Sequence, residues 1–299
     1  MNAITIDNLS KSYGKVKALD GISFEVHRGE LFGLIGPDGA GKSTLFRLLA
    51  TLLNADSGNA LIDGYDIVKH YREIRSRIGY MPGRFSLYHD LSVEENLNFF
   101  AALFGVKVEE SYDLIAPIYS QIEPFRKRRA GKLSGGMKQK LALSCALIHR
   151  PSVLLLDEPT TGVDAVSRSE FWDMLRGLKE RGITILVSTP YMDEASRCDR
   201  IALCNEGRIL GIDTPEGIVR GFDAPLYGIR AKRMFKLLEA ARSAEGVVDC
   251  YPFGEYHHLV TDNSFSEERF AEQMHTFEGL CIERLEPTIE DMFIKLMKR

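Results

Sequence analysis

The sequence lacks the features that mark a disulfide-bonded or membrane-spanning chain. Its 299 residues contain only five cysteines, an odd number, and none of them forms a C-x-x-C pair. Neither disulfide bonds nor a zinc site is therefore indicated, and a reducing compartment is expected. The longest apolar run covers about eight residues, from Phe99 to Val106, whereas a helix needs about twenty to span a bilayer.

The N-terminus and the overall charge argue against a secreted protein and a nucleic-acid-binding protein. Residues 1–7 have neither the basic stretch nor the long apolar stretch of a signal peptide. With no direct membrane span expected, any membrane role would come through a partner. The net charge is −4, which gives no general attraction to nucleic acid, and we expect no nucleic-acid partner.

The sequence does contain a glycine-rich loop between a strand pattern and a helix pattern. Residues 31–35 form an apolar run, and Lys42–Leu53 has apolar residues at helical spacing. The loop between them fits G-x-x-x-x-G-K-[ST]. It consists of Gly36, Pro37, Asp38, Gly39, Ala40, Gly41, Lys42, Ser43 and Thr44.

This pattern predicts a phosphate-binding P-loop. Glycines let backbone N–H groups approach a phosphate closely, and a helix N-terminus favours anions. Lys42 would reach the β- and γ-phosphates of a nucleotide, and Ser43 would offer its hydroxyl to Mg²⁺. The alternative is a turn that merely caps a helix, but strand, loop and helix together favour binding. Upstream, Tyr13 either stacks on an adenine ring or is a half-buried residue at a strand end.

Strand and helix patterns alternate through most of the chain. The apolar runs at 153–156 and 183–189 are typical of buried parallel strands. The first run ends in Asp157 and Glu158, at the edge where open α/β sheets bind ligands. We therefore expect a mainly parallel α/β domain over residues 1–222.

Within this domain, the segment at about 86–150 reads as helical and predicts a helical subdomain. Ser92 and Glu95 have the spacing of a capping box, which marks the start of a helix. Residues 126–129 are Arg-Lys-Arg-Arg. A solvated helix face is the favoured interpretation of this cluster, over a lipid or nucleic-acid patch.

The last part of the chain has another pattern. Residues 223–299 show the order βαββαβ, which predicts a small ferredoxin-like α+β domain. Thr288 and Asp291 would cap a final helix. His257 and His258 are adjacent, so on a strand they would face opposite sides, which argues against a shared metal site.

Three further stretches narrow the choice among P-loop proteins, which otherwise includes kinases, GTPases and motor ATPases. Residues 133–139 (Leu-Ser-Gly-Gly-Met-Lys-Gln) resemble the signature loop of ATP-binding cassette (ABC) ATPases. Residues 154–158 resemble their Walker B strand, and 162–164 resemble their D-loop. The resemblance covers about residues 3–220. Residues 287–293 resemble part of the C-terminal extension of drug- and polysaccharide-type ABC exporter subunits.

The resemblance implies a P-loop NTPase core that binds ATP and Mg²⁺ and hydrolyses ATP between two cassettes stacked head to tail. Glu158 would be the catalytic residue that deprotonates the attacking water, and Asp157 would hold Mg²⁺ together with Ser43. Tyr13 would stack on the adenine. The signature residues would grip the γ-phosphate bound by the other cassette; these are Ser134, Gly135, Gly136 and Gln139.

The resemblance also implies partners. One is an integral membrane permease subunit, docked through the region around Arg84–Gly105, and the other is a second ABC ATPase subunit in a homo- or heterodimer. The chain would then lie peripherally on the cytoplasmic face of the inner or cell membrane. Non-transport cassette proteins, which act on ribosomes or DNA, usually have two cassettes or a long coiled-coil insertion, and this sequence has neither.

Two positions depart from the family pattern. Gly83 stands where the family usually has a glutamine that coordinates Mg²⁺ and water. Pro190 stands where the family has a histidine, and proline cannot donate a hydrogen bond to the γ-phosphate. We expect this ATP site to bind nucleotide but to turn over slowly or not at all, while the signature loop completes a second cassette. A regulatory nucleotide sensor without catalysis is an alternative, against which the intact Lys42, Asp157 and Glu158 argue.

Overall fold

The computed structural model describes residues 1–84 and 86–298. Its contacts divide the chain into two compact units, Met1–Pro215 and Glu216–Arg299. The sequence places the domain boundary after residue 222, and the contacts place it after Pro215. The short helix Pro215–Arg220 lies between these two positions, so the boundary at residue 222 stays a prediction.

The first unit alternates strands and helices. In chain order these are β1 (Asn2–Tyr13), β2 (Val16–His27), β3 (Leu31–Ile35), α1 (Lys42–Leu49), β4 (Ser57–Ile62), β5 (Tyr65–Asp66), α2 (Tyr71–Arg75), β6 (Ile78–Met81), α3 (Val93–Phe104), α4 (Val108–Tyr119), α5 (Gly135–Leu147), β7 (Val153–Asp157), α6 (Ala165–Glu180), β8 (Thr184–Thr189), β9 (Arg200–Asn205) and β10 (Arg208–Asp213), and α7 (Pro215–Arg220) begins at its last residue. Single 3₁₀ turns lie at Glu123–Phe125, Ala130–Lys132 and Met192–Arg197.

The central sheet explains where the functional residues meet. Its strand order is β10-β9-β3-β8-β7-β6, and all neighbours are parallel except β10 and β9. Strands β3, β7 and β8 are buried along their whole length, as the apolar runs predict. In register, Ile35 pairs with Thr189, and Asp157 pairs with Ser188. The carboxyl ends of the three strands therefore share one edge.

A second, antiparallel sheet with the order β2-β1-β4-β5 packs on α1 through a shared apolar core. The sequence predicts a turn at residues 12–15, but β1 continues to Tyr13 and only Gly14 and Lys15 turn. Helix α1 ends at Leu49 rather than at the predicted Leu53, because Thr51 adopts a left-handed conformation with φ 58°.

The helical region contains α3, α4 and α5. The predicted capping box is confirmed: the Ser92 N–H donates to Glu95 Oε2 at 2.7 Å, and the Glu95 N–H donates to Ser92 Oγ at 3.2 Å. The sequence pattern predicts a helix from Lys138 to Ile148. The corresponding helix α5 begins earlier, at Gly135, because Ser134 caps it by accepting from the Met137 N–H. No helix in the described part of the chain combines the length and the apolar character needed to cross a membrane.

The second unit is a four-stranded antiparallel sheet with helices. Its elements are β11 (Leu226–Arg230), α8 (Met234–Arg242), β12 (Val247–Phe253), β13 (Tyr256–Thr261), α9 (Glu267–Gln273), β14 (Cys281–Leu285) and α10 (Ile289–Met297). The sheet order β12-β13-β11-β14 places the first and third strands of the unit in the centre. The predicted ferredoxin-like domain is confirmed.

A buried hydrogen-bond cluster fixes α10 to this sheet. Asp291 caps α10 with Thr288 and also accepts from the Tyr251 hydroxyl at 2.7 Å and contacts His258 Nδ1 at 2.6 Å. Burial raises the pKa of Asp291, but hydrogen bonds, above all from His258, hold this pKa below its usual value. His257 instead bonds the Met234 carbonyl at 2.8 Å, so the two histidines serve different elements.

Candidate functional site

The loop between β3 and α1 turns so tightly that two of its glycines admit no side chain. Gly41 precedes α1 with φ 98°, and a Cβ there would lie 2.2 Å from the Ala18 carbonyl oxygen. A Cβ at Gly36 would lie 2.2 Å from the carbonyl oxygen of Cys204. Both distances are far below van der Waals contact, so the loop depends on glycine at these positions.

Lys42 is a buried, hydrogen-bonded charge in this loop. Its side chain is 2% exposed, and its ammonium donates to the carbonyl oxygens of Gly36 at 2.8 Å and Pro37 at 2.9 Å. The same nitrogen lies 3.0 Å from Glu158 Oε1. Because an ammonium has three hydrogens, these contacts account for all of them. A phosphate that reached Lys42 would therefore compete with Glu158.

The two acids stand at the end of β7. Asp157 is the last residue of the strand and is 3% exposed. Glu158 follows with φ 50°, a left-handed conformation that costs of order 1–3 kcal/mol outside glycine. The Glu158 N–H donates to the Ser188 carbonyl at 3.2 Å and to Ser188 Oγ at 2.9 Å. Strand β8 thus holds this strained residue in place.

Ser188 joins both acids, a role that the sequence analysis missed. Its hydroxyl donates to Asp157 Oδ1 at 2.9 Å while it accepts from the Glu158 N–H, and the residue is fully buried. The available signal was its position at the carboxyl end of a predicted parallel strand. Without the strand order, the sequence could not show that β8 lies next to β7.

A second buried cluster, also missed, fixes the turn at Pro190. Glu194 is 5% exposed, and its Oε2 accepts from the hydroxyls of Thr189 at 2.5 Å and Thr160 at 3.0 Å. The Tyr191 N–H donates to the Thr189 hydroxyl at 3.1 Å. Glu194 therefore ties the end of β8, where Pro190 stands, to the segment that follows Glu158.

Gly83 lies against Asp157. A Cβ at Gly83 would be 3.2 Å from the Asp157 carbonyl oxygen and 3.6 Å from its Oδ2. Tyr80, three residues earlier, has its pKa raised to about 12 by burial and, to a smaller extent, by the charge of Asp157. A longer side chain at position 83 would thus reach the Asp157 carboxylate directly, but Gly83 has no side chain.

The oxygen donors at this edge suit Mg²⁺. Magnesium prefers carboxylate and hydroxyl oxygens together with substrate phosphates. Asp157 supplies a carboxylate, and Ser43 supplies a hydroxyl in the first turn of α1, directly after Lys42. Asp38, Gly39 and Thr44 complete the exposed and half-exposed part of the loop, and Ala40 is buried.

Tyr13 lies at the end of β1 and is 47% exposed. The β1–β2 hairpin brings this end near the loop, because Ala18 of β2 contacts Gly41. An exposed aromatic ring beside the loop is compatible with either interpretation of Tyr13, so its role as an adenine partner stays a prediction.

The signature residues form a separate group at the start of α5. Ser134 is exposed, and Gly135 lies so close to the D-loop that a Cβ would be 3.3 Å from the Gly162 carbonyl. A Cβ at Gly136 would be 2.7 Å from Ser167 Oγ. This loop therefore packs on the D-loop of the same chain.

The D-loop is itself fixed by a helix cap. Asp164 accepts from the Ser167 N–H at 3.0 Å, and this bond lowers the pKa of Asp164. Gln139 lies one turn into α5 and lines a small crevice with Gly136 and Thr160. The predicted site residues thus fall into two groups on different elements.

A glycine-rich loop leads from the buried parallel strand β3 into a helix, and its lysine contacts the acid that follows β7, two strands away in the same sheet. This arrangement defines a P-loop nucleotide-binding domain. The family described as ABC transporter matches over residues 19–161. The chain belongs to this family and is an ATP-binding cassette. The family, fold class and ATP-binding function predicted from the sequence are confirmed.

The curated relatives agree with this family. The chain is 41% identical to the probable multidrug ABC transporter ATP-binding protein YbhF of Escherichia coli, over 98% of this chain and 52% of the relative. It thus spans about half the length of that relative. It is 34% identical to the Nod factor export ATP-binding protein I of Sinorhizobium fredii (99% and 86% covered) and 32% identical to the daunorubicin resistance ATP-binding protein DrrA2 of Streptomyces coeruleorubidus (98% and 94%).

Solved structures share the cassette fold. An ATP-binding subunit of an ABC transporter superposes with a TM-score of 0.67 at 30% identity, covering 74% of this chain and 93% of that one. The cassette MJ0796, solved as a dimer in a post-hydrolysis state with ADP and phosphate, gives 0.64 at 25% identity and covers 71% and 98%.

Proposed function

We propose that this chain is the ATPase subunit of an ABC exporter and powers transport through a separate membrane-embedded permease subunit. The proposal rests mainly on the contact between Lys42 and Glu158. This contact lies at the carboxyl end of β7, whose last residue is Asp157. The names of the relatives, which refer to multidrug transport, Nod factor export and daunorubicin resistance, support an exporter.

The residues would share the work as follows. The loop N–H groups and Lys42 would bind the phosphates of ATP, and Ser43 and Asp157 would hold Mg²⁺, which would neutralise phosphate charge. Glu158 would accept a proton from the attacking water. Release of Glu158 from Lys42 when phosphate arrives would free its carboxylate for that water.

A second cassette would complete each site. Ser134, Gly135 and Gly136 lie at the N-terminus of α5, where N–H groups and the helix dipole favour an anion. They belong to a different group from Lys42, so we propose that they serve the γ-phosphate bound by a partner cassette in a dimer. Homo- and heterodimers both fit this geometry.

We propose further that the chain's own ATP site turns over poorly. Gly83 offers no side chain to Asp157, and Pro190 offers no donor at the end of β8. The partner cassette of an asymmetric dimer would then carry most of the hydrolysis, completed by Ser134 of this chain. A catalytically silent nucleotide sensor is the second candidate, and the same two residues favour it.

The permease subunit would dock in an apolar groove of about 620 Å³. The groove is open, and its lining from α3 includes Phe100, Leu103 and Phe104, with Leu103 64% exposed. Exposed apolar surface of this kind marks interaction sites. Docking here would hold the chain peripherally at the cytoplasmic face of the membrane.

The ATPase activity of the purified chain, alone and mixed with a complete cassette, tests the proposal. We expect the chain alone to bind ATP with weak turnover, and the mixture to hydrolyse ATP at one of two sites. Hydrolysis at neither site would favour the silent sensor. Robust turnover that is unchanged by Glu158→Gln would reject both the slow-site assignment and the role of Glu158. Co-purification with ribosomes rather than with an integral membrane protein would reject the exporter.

A further inference from the structure

The turn between α4 and α5 concentrates positive charge that the nucleotide site does not use. We call Pro124–Lys132 the basic loop. Its cations are all exposed, and no ion pair in the described part of the chain holds any of them. They are Arg126, Lys127, Arg128, Arg129 and Lys132. The sequence favoured a solvated helix face here, but residues 126–129 form a turn between two 3₁₀ segments.

The backbone of the basic loop is fixed, although the described part of the chain shows no ion pair to its cationic side chains. The carbonyl oxygens of Arg126 and Arg128 accept from the N–H groups of Glu94 and Val93, each at 3.0 Å, and the Ala130 N–H donates to the Leu91 carbonyl at 2.8 Å. The loop is thereby anchored to the start of α3. Its cations line an open concavity of about 570 Å³ with the ring of Phe125.

Three acids lie beside the basic loop, Glu94, Glu95 and Glu123, and within the described residues none of them forms an ion pair with its cations. Glu95 is the acid that Arg129 influences, and its pKa is lowered mainly by the hydrogen bonds of the Ser92 backbone and side chain, and only to a small extent by Arg129. The carboxylate of Glu95 is thus engaged in capping α3. Phe125 is 37% exposed, and the Arg128 guanidinium lies 4.5 Å from its ring centroid.

We propose that the basic loop binds the anionic headgroups of a phospholipid surface. A cluster of four to eight cations next to an aromatic ring has the composition of a membrane-surface contact. Within residues 1–84 and 86–298 no ion pair holds these side chains, so they lack the fixed geometry that a specific carboxylate-bearing protein segment would require. A fluid anionic surface needs no such geometry.

The position of the loop supports this ligand. Helix α3 has 12 residues and is therefore about 18 Å long. The basic loop lies at its start, and the proposed permease groove uses Phe100, Leu103 and Phe104 near its end. A docked permease would bring the loop towards the bilayer. This step rests on the proposed function, whereas vesicle binding by the chain alone does not.

Vesicle flotation of the purified chain tests the proposal. Phosphatidylcholine vesicles with and without phosphatidylglycerol provide an anionic and a neutral surface. Each cation near an anionic surface contributes about 1 kcal/mol. The triple variant Arg126→Gln, Lys127→Gln, Arg128→Gln should therefore bind anionic vesicles about a hundredfold more weakly than the wild type, and neither protein should bind neutral vesicles.

A matched control removes three exposed cations elsewhere, which form no ion pair with any residue that the structure describes. Arg233→Gln, Lys236→Gln, Arg269→Gln changes the net charge from −4 to −7, as the test variant does, and should keep wild-type binding. Nucleotide affinity should be equal in all three proteins, which shows that the variants fold. Two results would overturn the proposal. One is a wild-type chain that does not bind anionic vesicles, and the other is a test variant that binds them as tightly as the control variant does. Binding of soluble polyglutamate without vesicle binding would assign the loop to an acidic protein partner and would also overturn it.

Discussion

Ser188→Ala is the substitution that tests the geometry of the two acids most selectively. It removes one buried hydroxyl, which donates to Asp157 and accepts from the Glu158 N–H, both at 2.9 Å. The Glu158 N–H keeps its weaker bond to the Ser188 carbonyl at 3.2 Å. The main loss is therefore the bond to the Asp157 carboxylate.

A hydrogen bond to a charged group contributes about 1.5–3 kcal/mol. The folded state of the variant should lose about that much stability. If Asp157 also loses its orientation towards Mg²⁺, the affinity for MgATP should fall about tenfold, since 1.4 kcal/mol corresponds to a factor of ten. Affinity for ATP in excess chelator should change little, because Lys42 and the loop are untouched.

The assay is a titration with a fluorescent ATP analogue, with Mg²⁺ and with chelator, beside an unfolding curve. Ser144→Ala is the matched control, because Ser144 is equally buried and its hydroxyl donates to a backbone carbonyl, that of Lys140 at 2.8 Å, rather than to an acid. Ser188→Thr keeps the hydroxyl and should restore Mg²⁺ dependence. A Ser188→Ala protein that binds MgATP like the Ser144→Ala control would refute the reasoning.

Four further outcomes follow. Glu158→Gln removes the charge that pairs with Lys42, so ATP should bind about fivefold more tightly (about 1 kcal/mol); unchanged affinity would contradict this competition. Burial lowers the pKa of His149 below its usual 6.5, so the unfolded chain binds a proton at this residue more readily than the folded chain. The free energy of unfolding should therefore be highest above pH 6.5 and decrease as the pH falls below it. His149→Phe should flatten this decrease in acid-unfolding curves. Asp291→Ala should destabilise the C-terminal unit by about 3 kcal/mol in chemical unfolding, since it leaves buried donors unpaired. Gly36→Ala should abolish nucleotide binding in the same titration, because its Cβ meets a backbone carbonyl at 2.2 Å; wild-type affinity would contradict the tight loop.

Local patterns in the sequence predicted most of the fold. The apolar runs of β3, β7 and β8 identified buried parallel strands because such strands are covered on both faces. The capping boxes at Ser92 and Thr288 marked two helix starts. Helix ends were less predictable. Helix α1 ends at Leu49 because Thr51 adopts a left-handed conformation, which a threonine does not usually favour.

The candidate site was predictable only as separate motifs. Lys42, Asp157 and Glu158 stand out because glycine spacing and strand-end acids are local signals. Ser188 and Glu194 do not, because the contact of Ser188 with Glu158 and that of Glu194 with Thr160 join residues 30 or more positions apart, which meet only through the strand order. The contact of Gly83 with Asp157 is equally non-local.

We propose that Gly83 and Pro190 leave this ATP site able to hold ATP but slow to hydrolyse it. Single-turnover hydrolysis of γ-labelled ATP by the purified chain and by the double variant Gly83→Gln, Pro190→His tests it most directly. The variant needs only a shift of a few tenths of an ångström at the Asp157 carbonyl, which lies 3.2 Å from the new Cβ. We expect the double variant to hydrolyse bound ATP about a hundredfold faster than the wild type, which is the lower range for general acid–base assistance. A wild-type chain that hydrolyses ATP as fast as the double variant would contradict it.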